Sequence, residues 1–119
     1  MPLQINTVEL VLRSDSRLRV IYDEGYELSF ESTKGLQIAI NRKSTVKAIR
    51  LWIQNTIDPR VIELSSTTKV VHYSASRPRA HLSAPRLLGP YDGRPGNDCW
   101  YIALQQKSDL LALLAAYLK

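Results

Sequence analysis

Hydrophobic and polar residues alternate through the first third of the chain. Val8, Leu10 and Leu12 share one side, with Glu9 and Arg13 on the other. The same pattern recurs at Leu18, Val20 and Tyr22, and at Leu36, Ile38 and Ile40. Tyr26, Leu28 and Phe30 alternate with Glu27, Ser29 and Glu31. Successive side chains of a strand point to opposite faces, so this period of two predicts half-buried strands over 8–14, 17–23, 26–31 and 36–40. Turn residues punctuate the pattern. Asp23-Glu24-Gly25 reads as a hairpin loop, with Gly25 free to take positive φ, and Lys34-Gly35 as a second turn.

From Ser44 to Gln54 the period changes. Val46, Ile49 and Ile53 recur at helical spacing, while Lys43, Lys47, Arg50 and Gln54 make an opposing ridge. Ser44 is a suitable N-cap, so an amphipathic helix of about three turns is predicted there. Apolar runs at 60–65 and 69–75 predict another strand pair, and 100–104 a further strand. Residues 108–119 predict a C-terminal helix with Ser108 as its cap and Asp109 near its positive end. Short turns between strands favour an antiparallel sheet. The predicted fold is therefore α+β: a single domain over 1–119, with six to seven mostly antiparallel strands and two helices on one face.

The stretch 110–118, LLALLAAYL, has no polar side chain except a tyrosine hydroxyl. It is too short to cross a bilayer. A helix apolar all round must be central or shared with another subunit, which predicts a homodimer through 108–119.

Composition narrows the chemistry. The 119 residues include 16 Lys and Arg against 11 Asp and Glu, a net charge of +5. The charge is uneven: residues 1–31 are net acidic and 32–107 strongly basic. A basic middle favours an anionic partner, either nucleic acid or an acidic protein surface. No apolar run approaches the length of a membrane span, and the N-terminus lacks a signal-peptide pattern. A single cysteine, Cys99, excludes an internal disulfide and suits a cytoplasmic home.

Catalytic motifs are absent. One cysteine and two histidines, His72 and His81, show no metal-ligand spacing, so no metal is expected. Neither GxxxxGK[ST] nor GxGxxG occurs, and no cofactor is called for. Cys99 reads as a small buried hydrophobe rather than a nucleophile. Glu9, Glu27 and Glu31 read as one solvated outer face of the sheet.

The stretch 76–98, SRPRAHLSAPRLLGPYDGRPGND, holds four of the six prolines and three of the five glycines. It is longer than the usual connection in a compact domain, and such segments are usually functional or unfolded. Its Arg77, Arg79, His81, Arg86, Tyr91 and Arg94 form a candidate basic recognition loop, or an arm toward a second subunit. Lys43, Lys47 and Arg50 are a second candidate surface on the predicted helix. Trp52 and Trp100 are candidates to line an aromatic pocket.

The favoured function is a small non-enzymatic binding module, homodimeric, engaging an anionic partner through the basic loop and helix ridge. One alternative is a protein–protein adaptor of antitoxin, immunity or inhibitor type, working through the apolar C-terminal helix. Another is a ligand-binding domain or enzyme with an aromatic-lined pocket.

Overall fold

The computed structural model describes residues 3–43, 48–73 and 99–119. Helix α1 (Ile5–Ser14) is followed by strands β1 (Leu18–Glu24), β2 (Glu27–Ser32), β3 (Gln37–Asn41) and β4 (Ile49–Gln54). A 3-10 turn at Pro59–Val61 leads to β5 (Lys69–Tyr73), β6 (Cys99–Leu104) and helix α2 (Lys107–Tyr117). The six strands form one antiparallel sheet in the order β1-β2-β3-β4-β6-β5. The chain runs out as a four-stranded meander, passes to β5, and returns as β6 between β4 and β5. This is the expected α+β architecture.

Both helices contribute to a core on one face of the sheet. Val8 and Leu12 of α1 join Leu110, Leu113, Leu114 and Tyr117 of α2 in one buried cluster. The sheet supplies Leu28 and Phe30, Ile38 and Ile40, Ile49, Leu51 and Ile53, and Ile102 and Leu104. The positions alternate along each strand, as the pleat requires. The second face carries its own buried cluster of Ala39, Trp52 and Cys99, with Tyr101 packed against it. Trp52 and Tyr101 are cross-strand partners whose ring centroids lie 5.2 Å apart.

One of the two helices, α2, lies where the sequence pattern predicts it, and the other does not. Residues 8–14 are helical, not extended. Val8 and Leu12 are fully buried, whereas Leu10 is 67 % exposed. A strand would place all three on one side; a helix separates Leu10 from the pair four residues apart. Glu9 and Arg13 also meet at i, i+4 spacing, 3.6 Å apart. Conversely, residues 49–54 are a strand rather than the second half of a helix. Ile49, Leu51 and Ile53 enter the helix-side core while Trp52 is buried on the opposite face. A strand flanked by β3 and β6 has both faces to cover, and so reads as a nearly continuous apolar run. The 60–65 stretch is not a strand either. Asp58 accepts a bond from the Arg60 amide at 2.9 Å, Pro59 occupies the first turn, and Val61 projects into solvent at 82 % exposure.

Three local features hold the sheet in register. Glu24 pairs with Glu27, so the β1–β2 loop is Gly25-Tyr26, with Gly25 at φ +57°. That conformation suits glycine in a two-residue hairpin. Tyr117 reaches from α2 to the end of the β3–β4 ladder. Its hydroxyl donates to the Gln37 carbonyl at 2.7 Å and accepts from the Gln54 amide at 3.2 Å, bridging two strands beyond their last direct pair, Ile38 with Ile53. Asp109, in the first turn of α2, points inward to the 65–68 turn. It accepts bonds from the Ser65 amide at 3.0 Å, the Ser65 hydroxyl at 2.8 Å and the Thr68 hydroxyl. The helix starts at Lys107, with Gln106 as the N-cap and no side-chain cap bond, so Ser108 is not its cap.

Candidate functional site

The loop residues Arg77, Arg79, His81, Arg86, Tyr91 and Arg94 lie outside the described residues, as does Lys47. The ends of that connection are fixed, because Tyr73 and Cys99 are paired at the end of β5 and β6. Lys43 and Arg50, the described members of the predicted helix ridge, do not lie on a helix. Arg50 lies within β4, paired with Asn41 and Ala103, on the face opposite the helices. Lys43 is exposed beyond the end of β3, its amide bonded to Asn41 Oδ1 at 2.8 Å. Trp52 and Trp100 do not share a pocket. Trp100 belongs to the helix-side core and Trp52 to the opposite cluster, because positions of opposite parity on paired strands face opposite ways. The three glutamates are also divided, since Glu9 is on α1 while Glu27 and Glu31 are on β2.

The structure brings together a set of residues that the sequence pattern does not single out. An open cleft of about 500 Å³ is lined by residues 16–19 and 31–35, where the start of β1 faces the β2–β3 turn. The Thr33 amide bonds to the Arg17 carbonyl at 3.0 Å and ties the two walls together. The turn is shaped by the Ser32 hydroxyl, which accepts from the amides of Lys34 and Leu36. Gly35 at φ +84° completes it.

Three cations line this cleft. Arg17 grips Asp15 with a two-point fork, at 2.9 and 2.7 Å. This bond holds the Asp15 carboxyl below its usual range, against the opposing effect of burial. Arg19, 75 % exposed along its side chain, donates to Glu31 at 2.7 Å. Lys34 Nζ donates to the Lys119 carbonyl at 3.2 Å. The cleft can offer an oxyanion the Arg19 guanidinium, where Glu31 is the competing carboxylate, and the Lys34 ammonium, while Asp15 already takes up the Arg17 fork. A repeat of arginine at i and i+2, leading into a strand, is the sequence signal that marks Arg17 and Arg19. Lys34 has no such signal.

A second assembly surrounds Trp100. Its indole Nε1 donates to Asn55 Oδ1 at 2.9 Å. The Arg60 guanidinium lies 5.0 Å from the ring centroid, and the His72 ring is 4.8 Å away, tilted by 45°. Arg60 in turn forks onto Asp58 at 3.0 and 2.9 Å. This fork, with a smaller contribution from His72, holds the Asp58 carboxyl below its usual range. Both Arg60 and His72 are exposed, while Trp100 beneath them is buried.

Ion pairing divides the charge of the chain. The acids of the first third are largely neutralised from within: Glu9 and Asp23 by Arg13 and Arg42, Asp15 by Arg17, and Glu31 by Arg19. Arg42 comes from the basic middle and lies 2.7 Å from Asp23. Lys34, Lys43, Lys69 and Lys107 make no carboxylate pair among the described residues. Among the described residues, these solvent-facing lysines, Lys34 of the cleft included, are where positive charge is not paired with a carboxylate.

Among the described residues no group of three or more His, Cys, Asp and Glu side chains is placed to hold a metal ion. No helix there is long and apolar enough to cross a membrane. Comparison with protein-family models, with curated proteins and with solved structures finds no match, so the reading of function rests on the residues themselves.

Proposed function

We propose that the protein is a non-enzymatic binding module for an anionic partner, and that the cleft of Arg17, Arg19 and Lys34 is one of its contact points. The observation that carries this reading is the convergence of Arg19 and Lys34 on an open cleft beside Arg17, whose own charge is balanced by Asp15. A phosphate or carboxylate of the partner takes the place of Glu31 on Arg19, where the planar fork suits a two-point contact. The unpaired lysines add longer-range attraction, screened by salt. Arg77, Arg79, Arg86 and Arg94 belong to the same reading through their charge. Nucleic acid is the favoured partner over an acidic protein surface, because arginine and lysine supply most contacts to phosphate.

Self-association through α2 is a second part of the proposal. Leu111 is half-exposed on the outer side of that helix, next to Ala115. The rest of that side is small or polar, so the patch suits a weak dimer better than an obligate one. Sedimentation velocity over a concentration series tests it. A monomer at every concentration removes the dimer.

The test of the cleft is a fluorescence-anisotropy titration of labelled duplex DNA with the native protein and the Arg19→Gln, Lys34→Gln double variant. Arg17 is retained because its fork shapes the turn after α1. Loss of two phosphate contacts lowers the salt slope of binding by about two. An unchanged slope and affinity removes the cleft from the interface. Binding to polyglutamate, but not to DNA, redirects the proposal to acidic protein surfaces.

A further inference from the structure

The Arg60–Trp100–His72 assembly has a feature that simple charge attraction does not require: flat groups held in place with their outer faces open. Trp100 is fixed by its strand pairing with Ile53 and His72 and by the indole bond to Asn55. Arg60 is fixed at its N–H edge by the fork from Asp58 and on one side by the indole ring. Its side chain is nonetheless 67 % exposed, as a guanidinium with a free outer face would be. His72 rests on the same indole and is exposed. Because Asp58 already balances the Arg60 charge, this place attracts a bare anion weakly. It retains flat, polarisable faces, set in position before any ligand arrives.

We propose that Arg60 and His72, supported by Trp100, form a stacking surface for the unpaired bases of single-stranded nucleic acid. The inference rests on the anionic-partner reading above and narrows it, since a duplex keeps its bases stacked internally and cannot use such a surface. Guanidinium planes and imidazole rings both accept nucleobases, and stacking tolerates any base because each has a π face. Groups already held in place lose little conformational freedom on binding. The phosphates that accompany the bases are drawn by the unpaired lysines.

The experiment titrates a labelled 12-nucleotide single strand, and the matching duplex, with native protein, His72→Ala, Arg60→Ala and His72→Phe. Thermal unfolding of each variant checks that it is folded. His72→Ala and Arg60→Ala weaken single-strand binding by roughly tenfold each, the scale of one lost base stack. His72→Phe keeps the flat ring and binds within about threefold of native, on the same scale. Duplex affinity changes less than single-strand affinity in every variant. Indole emission also changes on single-strand binding, since Trp100 lies directly beneath the surface while Trp52 is buried on the other face. Single-strand affinity unaffected by both alanine variants overturns the inference and leaves these residues as a cover for Trp100. A native preference for duplex overturns it as well, while leaving the anionic-partner reading in place. No binding to either nucleic acid or to polyglutamate overturns both.

Discussion

Replacing Tyr117 by phenylalanine removes one oxygen atom and keeps the ring, so it isolates what the hydroxyl does. That hydroxyl is the only bridge between the Gln37 carbonyl and the Gln54 amide among the bonds described at this end of the β3–β4 ladder. Without it, two backbone groups next to a buried side chain lose a partner. Leaving a buried polar group unsatisfied costs about 1–3 kcal/mol, and the carbonyl retains a second lone pair for water. A loss of about 2–3 kcal/mol is expected for the pair, with little cavity contribution because the ring volume is unchanged. For a chain of this length, that lowers the thermal midpoint by roughly 8–12 °C, measured by circular dichroism or calorimetry. Burial also raises the Tyr117 pKa from 10.0 to about 12. A group whose folded pKa is raised contributes stability that is complete below the unfolded value and is lost as pH rises toward the folded one. The native protein therefore loses stability between pH 10 and 12 by an amount that Tyr117→Phe does not show. A variant within about 0.5 kcal/mol of native, or an identical alkaline profile, would refute the bridging role.

Other outcomes follow from the same structure. Asp109→Ala costs about 2–4 kcal/mol in denaturant unfolding, because it strips partners from the Ser65 amide and from two hydroxyls at once. Burial alone would raise the Asp109 pKa, but the bonds from Thr68 and Ser65 outweigh it and hold it below 3.8. The stability it contributes is thus complete above the unfolded value and is lost as pH falls through the lower folded one, a loss the alanine variant lacks. Leu12→Ala costs about 2–5 kcal/mol while Leu10→Gln stays within about 0.5 kcal/mol, and equal effects would favour an extended first segment over α1. Gly25→Val destabilises by about 1–2 kcal/mol, because a β-branched residue is forced to positive φ, and an unchanged midpoint would contradict the assigned hairpin turn.

Most of the sheet was legible from alternation alone. β1, β2, β3, β5 and β6 each lie within a residue or two of the predicted runs, and α2 begins one residue from its predicted start. The two exchanges have physical causes. Val8, Leu10 and Leu12 satisfy both a period of two and, with Leu10 removed, a helical period, and only tertiary packing shows that Leu10 faces solvent. In β4 the tryptophan is buried on the second face, so the strand shows no clean alternation, and Val46, Ile49 and Ile53 fall at helical spacing by coincidence. The candidate site was less legible. Arg17, Arg19 and Lys34 become neighbours only because the pairing of β1 with β2 sets the start of β1 beside the β2–β3 turn. His72 meets Trp100 because β5 lies beside β6, and Arg60 reaches the same ring from the 3-10 turn that follows β4. Net charge pointed to an anionic partner, but charge carries no information about which cations are consumed internally, as Arg13 and Arg42 are by Glu9 and Asp23.

The most direct test of the central claim is the salt dependence of binding by the native protein. Anisotropy titrations of a labelled single-stranded oligonucleotide from low to physiological ionic strength give the slope of log affinity against log salt. Engagement through several phosphate contacts predicts a steep fall in affinity, with a slope of about −0.7 for each contact on a single strand. Absence of binding at low salt, or affinity that does not change with salt, would contradict a module built to hold an anionic partner.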